Sequence, residues 1–458
     1  MKHNRFFFTT IFLVLTTALV SAFAHAQSKN QGTEKAWWQK PGLGIQYQIE
    51  QRPGWNWERD FEKFQKSMSD DKGSLKFDGP LCKTQDWVAL SKKVGVDYHM
   101  VETKWHDGIC YFDTKLTAWK TPVDYIKNFS ELSHQENIPF MFYYSSLIDH
   151  NPQFNAIQPL KHNTLSMIGL VPGKVYMDYL TGQLKELVEQ YHPAGLWFDW
   201  YMPPPERTTV VSLKYMRENF PEQVVSFNNS NSAPQTFKKL NYTSGEAHDL
   251  LGRKDRSPGL AGVMTGINSY GYRFANENRE RFDHRWELCS PCGKDWQVTA
   301  LREDKNELVR MTASTLASGG LELIGVGTGM DGAVLPDHVK QMEIVGEWYR
   351  PRKELFRNAE PVRYPGLNAP GVSGFDEKNF GTIMSRLGND TLLHLINFHG
   401  AKGPVALNLK GPDWKDAKKV FLEPGHKELA INKSKGVIEL SLSPEQVDVV
   451  DTILRFEN

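Results

Sequence analysis

Three stretches of the sequence combine residue types that can do acid, base or nucleophilic chemistry. In Gly195-Leu-Trp-Phe-Asp199-Trp-Tyr an apolar run ends in a carboxylate flanked by aromatic rings. A wall of low polarity can hold a sugar and sharpen the electrostatics of a nucleophile. The same Asp can equally cap the turn or helix that follows. In Val101-Glu-Thr-Lys104-Trp105-His106-Asp107-Gly108 a run leads straight into a cluster of charge. Lys104 and His106 can donate to hydroxyls and Trp105 can stack, although a single His is often structural. In Arg285-Trp286-Glu287-Leu-Cys289 a carboxylate sits beside an indole. Burial against an aromatic raises a carboxyl pKa towards that of a general acid at neutral pH, while a Glu in a surface loop gives the same pattern. Two carboxylates from separate segments are what glycoside hydrolysis requires, one to protonate the leaving oxygen and one to attack or to activate water. Glu246, in Thr243-Ser-Gly-Glu-Ala, competes with Glu287 for the acid role.

The elements that must position these groups follow from the hydrophobic pattern. Short apolar runs alternate with helix-period segments, the sequence form of a βα array whose strand ends carry the reactive groups. Strands are predicted at Leu43–Gln48, Tyr98–Thr103, Phe140–Ser145, Gly195–Trp200, Val224–Asn228 and Leu321–Gly325. Helices are predicted at Gln85–Lys93, Val123–Gln135 and Tyr176–Tyr191, the last with Leu180, Leu184, Leu187 and Tyr191 on one face and an end at His192-Pro193. Leu250–Arg281 is rich in Gly, Asn and Arg with little periodicity and reads as long loops over the barrel mouth. Gly325-Val-Gly-Thr-Gly329 lacks the G-x-G-x-x-G spacing and reads as a tight loop, not a nucleotide site. From about Pro361, alternating stretches such as Thr391–Asn397, Val405–Leu409, Val420–Leu422, Val437–Leu442 and Val449–Arg455 between Gly, Pro, Asn and Asp turns predict a small antiparallel β-domain.

Composition bounds the possibilities. At 458 residues two or three domains are expected. Lys+Arg and Asp+Glu are 54 each, so no global field favours nucleic acid or an anionic membrane. The 13 Trp, 16 Tyr and 25 Phe suit a site that presents flat apolar faces to sugar rings, or a Trp-rich core. Residues 1–26 have the form of an export signal: basic Lys2, His3 and Arg5, the apolar stretch Phe6–Val20, and Ala24-His-Ala26 before the cut. Gln27 rather than Cys would begin the mature chain, and no later run approaches the ~20 apolar residues of a span. A periplasmic or secreted protein with no membrane partner is therefore expected. The four cysteines, Cys82, Cys110, Cys289 and Cys292, are too few for a disulfide scaffold. Cys289-Ser-Pro-Cys292 alone is a weak zinc or redox signal, so a structural disulfide or inert thiols are expected, and no metal.

From about Gly42 onwards the chain resembles the α-L-fucosidases, glycoside hydrolase family 29. The resemblance rests on Phe77-Asp78, Trp87, Val94-Gly-Val-Asp-Tyr98, Thr103-Lys-Trp-His-Asp-Gly108, Thr117-Ala-Trp119, Tyr143-Tyr-Ser145 and His150-Asn-Pro152. It continues through Gln183–Leu187 before Leu196-Trp-Phe-Asp199, Trp286-Glu287 with Cys289 and Trp296, Ser318-Gly-Gly320 and Asp331-Gly332. It implies a (β/α)8-type barrel over residues 27–360, then a C-terminal antiparallel β-sandwich over 361–458, with no cofactor. It further implies a retaining exo-α-L-glycosidase acting on an oligosaccharide or polysaccharide, with Asp199 as nucleophile and Glu287 as acid/base. Gln48, Lys104, Trp105, His106, Tyr144, Trp200 and Glu246 are the implied sugar-binding residues. Where the family commonly carries His-Trp-Gly this chain has Gln48-Ile-Glu50, and of the family's paired His only His106 remains beside Trp105. The late Asn-Ile-Gly-Pro is Gly325-Val-Gly-Thr328. These departures leave an α-L-galactoside, or binding without turnover, as alternatives to fucoside hydrolysis.

Overall fold

The computed structural model describes residues 35–49, 63, 65–70, 75–76, 81–154, 173–199, 207–232, 238–251, 271–281, 283–296 and 300–458. The export signal, Phe77-Asp78, Glu50 and Trp200 lie outside them.

Eight parallel strands alternate with helices: β1 (Gly42–Gln48), α1 (Thr84–Val94), β2 (Tyr98–Lys104), α2 (Tyr125–Gln135), β3 (Phe140–Ser145), α3 (Lys174–Tyr191), β4 (Gly195–Asp199) and α4 (Arg207–Asn219). There follow β5 (Val224–Phe227), β6 (Tyr242–Glu246), α5 (Gly271–Arg279), β7 (Arg285–Pro291), α6 (Glu307–Ala317), β8 (Leu321–Gly327) and α7 (Pro336–Tyr349). The sheet order β5-β4-β3-β2-β1-β8-β7-β6 leaves one seam, between β5 and β6. There Asn241 N donates to Val225 O (3.1 Å), Val225 N to Asn241 Oδ1 (2.9 Å) and Ser226 Oγ to Tyr242 O (2.9 Å), so a side chain completes the closure.

Alternation along each strand sends one set of side chains into the lumen and the other against the helices. Outward residues such as Leu43, Ile45, Leu196, Phe198 and Val225 pack on helix faces, α3 contributing Leu180, Leu184, Leu187 and Tyr191. That helix ends where His192 adopts a left-handed φ of 50° before Pro193. Inward residues Tyr98, Met100, Met141, Trp197, Leu321 and Leu323 fill the lower lumen. Trp37 stacks on Tyr98 (centroids 4.7 Å apart) beneath them.

Two segments differ from the sequence pattern. β6 and β7 were not among the predicted strands because their inward positions carry Ser244, Glu246 and Glu287, which interrupts an apolar run. In Leu250–Arg281, expected as loops, Gly271–Arg279 is a helix. Its buried face includes Asn276, Asn278 and Arg279, whose polarity hides the helical period; Arg279 lies 3.5 Å from the Tyr364 ring centroid and donates to Gly366 O (2.7 Å). Residues 252–270 of that stretch lie outside the described residues. Gly325-Val-Gly327, expected within a tight loop, continues β8; the turn begins after it.

Beyond the barrel, two antiparallel sheets form a β-sandwich. Strands β9 (Glu360–Pro361), β11 (Phe380–Leu387), β12 (Asp390–Asn397), β14 (Lys419–Glu423), β15 (Lys427–Leu429) and β18 (Asp451–Glu457) make the larger sheet. Strands β10 (Val372–Ser373), β13 (Val405–Lys410), β16 (Asn432–Ser434) and β17 (Val437–Leu442) make the smaller one. β13 and β17 alternate buried and exposed, whereas β12 is buried on both faces: Leu393 and Leu395 meet the smaller sheet, while Ile396, with Ile383 and Ile453, joins the barrel core. Arg310 of α6 donates twice to Val449 O (both 3.0 Å), pinning the sandwich to the barrel.

Candidate active site

Asp199 ends β4 facing inward and is 7% exposed. Both oxygens are held by donors: Tyr143 OH to Oδ2 at 2.6 Å and Asn228 Nδ2 to Oδ1 at 2.8 Å. Burial and the Asp199 charge push the Tyr143 pKa well above its ordinary value, so the phenol keeps its proton and remains a donor. Asn228, one residue past β5, also donates from Nδ2 to Glu246 Oε1 at 2.6 Å. One amide nitrogen thus ties the carboxylates that end β4 and β6. The two oxygens it holds can be no farther apart than the sum of those bonds, 5.4 Å.

The second Glu246 oxygen receives Trp296 Nε1–H at 3.1 Å and faces His248 Nε2 at 3.5 Å. Burial pushes this carboxyl up, but the hydrogen bond and charge of His248, with the Asn228 and Trp296 bonds, outweigh it and hold the pKa below its ordinary value. Trp296 reaches over the lumen because Gly325 of β8 has no side chain. A Cβ there would lie 2.9 Å from the indole and 3.2 Å from the Gln48 carboxamide. Gln48 therefore ends β1 beside Trp296, at the rim of the same depression.

His106, just beyond β2, places Nε2 at 3.4 Å from Asp199 Oδ2 and Nδ1 at 2.7 Å from Ser145 Oγ. Ser145 gives its proton to Ile148 O (2.7 Å), so it accepts from Nδ1–H and leaves Nε2 as an acceptor. Burial, with the His150 and Lys104 charges, pushes the His106 pKa down to about 3, so the ring is neutral. Trp105 stacks on it (centroids 4.9 Å apart) and is partly exposed.

Three expected site residues lie away from the depression that Asp199 and Glu246 line. The β2–β3 register slips between Glu102 and Lys104, which turns Lys104 out of the lumen. Its ammonium is fully buried behind β3, paired with Asp149, bonded to Tyr144 OH (2.9 Å) and 5.2 Å from the Tyr179 ring. Tyr144 faces outward too, donating to Gln183 Oε1 of α3 at 2.6 Å. Neither side chain meets a ligand in the lumen. Glu287 does point inward, but from the third residue of β7. Its ladder partner is Ser244, two residues before Glu246 on β6, which places it roughly 6–7 Å deeper along the barrel. It is fully buried, with Oε1 accepting from Trp197 Nε1 (2.9 Å) and Ser244 Oγ (2.7 Å) and Oε2 from Tyr98 OH (2.7 Å). Burial raises its pKa to about 7 against those bonds, a value suited to an acid, but the carboxyl is enclosed below Asp199 and Glu246.

The sequence reading missed Tyr143, Asn228, His248 and Glu102, whose Oε2 accepts from Ile49 N at 2.8 Å beside Tyr143. Strand parity was the available signal for two of them: Tyr143 and Asn228 share the inward phase that Asp199 defines. The four cysteines are free thiols, and burial raises all four pKa values, as expected of inert groups.

The family model described as alpha-L-fucosidase matches residues 22–354. Tissue alpha-L-fucosidase of Mus musculus is 22% identical over 359 residues, covering 73% of this chain and 67% of the relative. The alpha-L-fucosidase of Dictyostelium discoideum is 21% identical over 307 residues, 64% of this chain and 59% of the relative. The chain thus spans about three-fifths to two-thirds of these relatives' length. Among solved structures, Thermotoga maritima alpha-fucosidase in complex with fucose superposes with a TM-score of 0.65 at 19% identity, covering 92% of this chain and 96% of that one. The alpha-L-fucosidase isoenzyme 1 from Paenibacillus thiaminolyticus gives 0.64 at 20%, covering 92% and 98%. These likenesses agree on the barrel and sandwich, and with a family match over most of its length, the chain belongs to the α-L-fucosidase family of glycoside hydrolases.

Proposed function

We propose that the protein is an exported, retaining exo-α-L-fucosidase that releases terminal fucose from an oligosaccharide or polysaccharide, with residues 27–360 as its catalytic domain. The observation that carries the mechanism is the Asn228 bridge. Retaining glycosidases hold their two carboxyl groups about 5–5.5 Å apart, whereas inverting ones separate them by about 6.5–9.5 Å to admit water. A limit of 5.4 Å between Asp199 Oδ1 and Glu246 Oε1 supports the first class.

In this scheme Asp199 attacks the anomeric carbon and forms a glycosyl ester while Glu246, rather than Glu287, protonates the departing oxygen. Glu246 then takes a proton from the incoming water, which opens the ester and restores the original configuration. His106 Nε2 accepts from a ring hydroxyl, the Gln48 carboxamide meets another, and Trp105 or Trp296 lies against the sugar's apolar face. Export, to the periplasm or medium, rests on residues 1–26.

The test is release of 4-nitrophenol from matched α-L-fucoside and α-L-galactoside, with Asp199→Ala as control and NMR of the first-formed anomer. Turnover of the fucoside, α-fucose as first product and loss in the variant are expected. Preference for the galactoside, which Gln48 and Trp105 in place of the family's His residues make the second reading, would move the sugar. A β-product would overturn retention.

A further inference from the structure

Glu246 is followed two residues later by His248, so both side chains leave the same side of the extended chain that ends β6. The backbone there is fixed: Ala247 N donates to Cys289 O (3.0 Å) and Arg302 Nη2 to His248 O (2.9 Å). His248 Nε2 lies 3.5 Å from Glu246 Oε2, and Nδ1, which is buried and makes no hydrogen bond, faces Asp295 Oδ1 at 3.8 Å. The His248 side chain is 14% exposed and that of Asp295 60%, so the three groups form a line from the pocket to solvent. Trp296 meets the imidazole edge-on, with centroids 5.7 Å apart. The other groups facing this line are Asn228 and Asp199, with Tyr143 and Cys289 on the Glu246 side and Arg302 behind His248.

We propose that His248 is a positioning residue that holds the catalytic proton jointly with Glu246, with Asp295 on its solvent side. The inference rests on the reading of Glu246 as acid/base. One proton has two places in the pair: on Glu246 beside a neutral imidazole, or on His248 Nε2 beside a carboxylate. Asn228 and Trp296 both donate to Glu246 and favour the second. As the glycosidic C–O bond breaks and its electron pair passes to the leaving oxygen, that oxygen takes the proton from Oε2. Where the proton rested on Nε2, it crosses to Oε2 in the same step. The deglycosylating water returns one proton to the pair, so His248 has no net change over the cycle. The 3.5 Å between Nε2 and Oε2 lets either atom carry the proton that the leaving oxygen takes, with no movement of either side chain.

The experiment is the pH profile of kcat/KM for wild type, His248→Gln and Asp295→Asn, on aryl α-L-fucosides with a good and a poor leaving group. For the poor leaving group, His248→Gln is expected to move the basic limb down by about one pH unit, giving about a tenfold loss on that limb. Asp295→Asn moves it the same way by less, and in both variants the loss is larger for the poor leaving group than for the good one. An unshifted or raised basic limb in His248→Gln overturns the proposal. Glu246→Ala, run in parallel, separates the two readings. If its loss is equal on both substrates, the acid/base assignment fails and the proposal with it; if its loss falls on the poor leaving group alone, the His248 profile decides.

Discussion

Trp197 Nε1 donates to Glu287 Oε1 at 2.9 Å from a position two residues before Asp199 on the same strand. The carboxyl of the Trp-Glu-x-Cys segment is therefore a brace under Asp199. It ties β4 to β7 through Trp197, β2 through Tyr98 and β6 through Ser244, across a lumen otherwise filled with apolar side chains. An acid in that place ties the pocket floor together.

The brace has a signature in the pH dependence of stability. Folding raises the Glu287 pKa from 4.5 to about 7, so between those values the folded protein retains a proton that the unfolded chain has released. Its contribution is complete below pH 4.5 and is lost as pH rises to about 7. Glu287→Gln keeps the shape and removes this titration. Urea denaturation of the two proteins should show the gap between them moving in the variant's favour from pH 4.5 to 7, by up to ~3 kcal/mol. Turnover should remain within about threefold, and a loss of about 100-fold would return Glu287 to the reacting groups.

Glu246→Ala carries the opposite expectation. Fucosides with poor leaving groups should lose about 10²–10⁴-fold in kcat, while a dinitrophenyl fucoside, which departs with little help, should lose far less in its first step. Azide should restore turnover by entering where the base-activated water would, yielding an α-fucosyl azide. Detecting the β-azide, or no leaving-group dependence, would contradict the assignment.

The parts of this site that the sequence exposes are those where a strong local pattern and the chemistry coincide. Gly195-Leu-Trp-Phe-Asp199 is an apolar strand with a charge at its end, and the structure places that charge at the pocket. Tyr144 faces outward by the regular alternation of β3, and Lys104 by a one-residue slip between Glu102 and Lys104 that reverses the phase of β2. Glu287 was misread because height along the barrel depends on the β6–β7 register, which no single segment contains. Asn228 has only its inward strand parity as a local mark, since its role comes from lying between carboxylates contributed by the strand before it and the strand after it.

Removing that amide should therefore separate two roles. Asn228→Ala leaves Asp199 with the Tyr143 bond and Glu246 with Trp296 and His248, so both acids survive while their spacing is no longer fixed. Loss of about 100-fold in kcat with KM within about threefold is expected, because misplacement near 1 Å costs roughly that much in rate. A change confined to KM would make Asn228 a sugar-binding residue instead.

Lys104 and His106 stand two positions apart in the sequence and should respond in opposite ways. Lys104→Met strands Asp149, fully buried, without its cation, so a stability loss of about 3–5 kcal/mol is expected, with kcat/KM per folded molecule within a few-fold. His106→Phe removes the acceptor beside Asp199 while keeping a ring for Trp105 to stack on, so the expected cost is in KM and kcat rather than in the melting temperature. Leaving a buried sugar hydroxyl without its acceptor corresponds to about 10–100-fold in kcat/KM. Thermal denaturation and steady-state kinetics on the same preparations check both. A Lys104→Met protein that melts normally but binds fucose poorly would put the ammonium in the pocket after all, and would require the slip in β2 to be absent in solution.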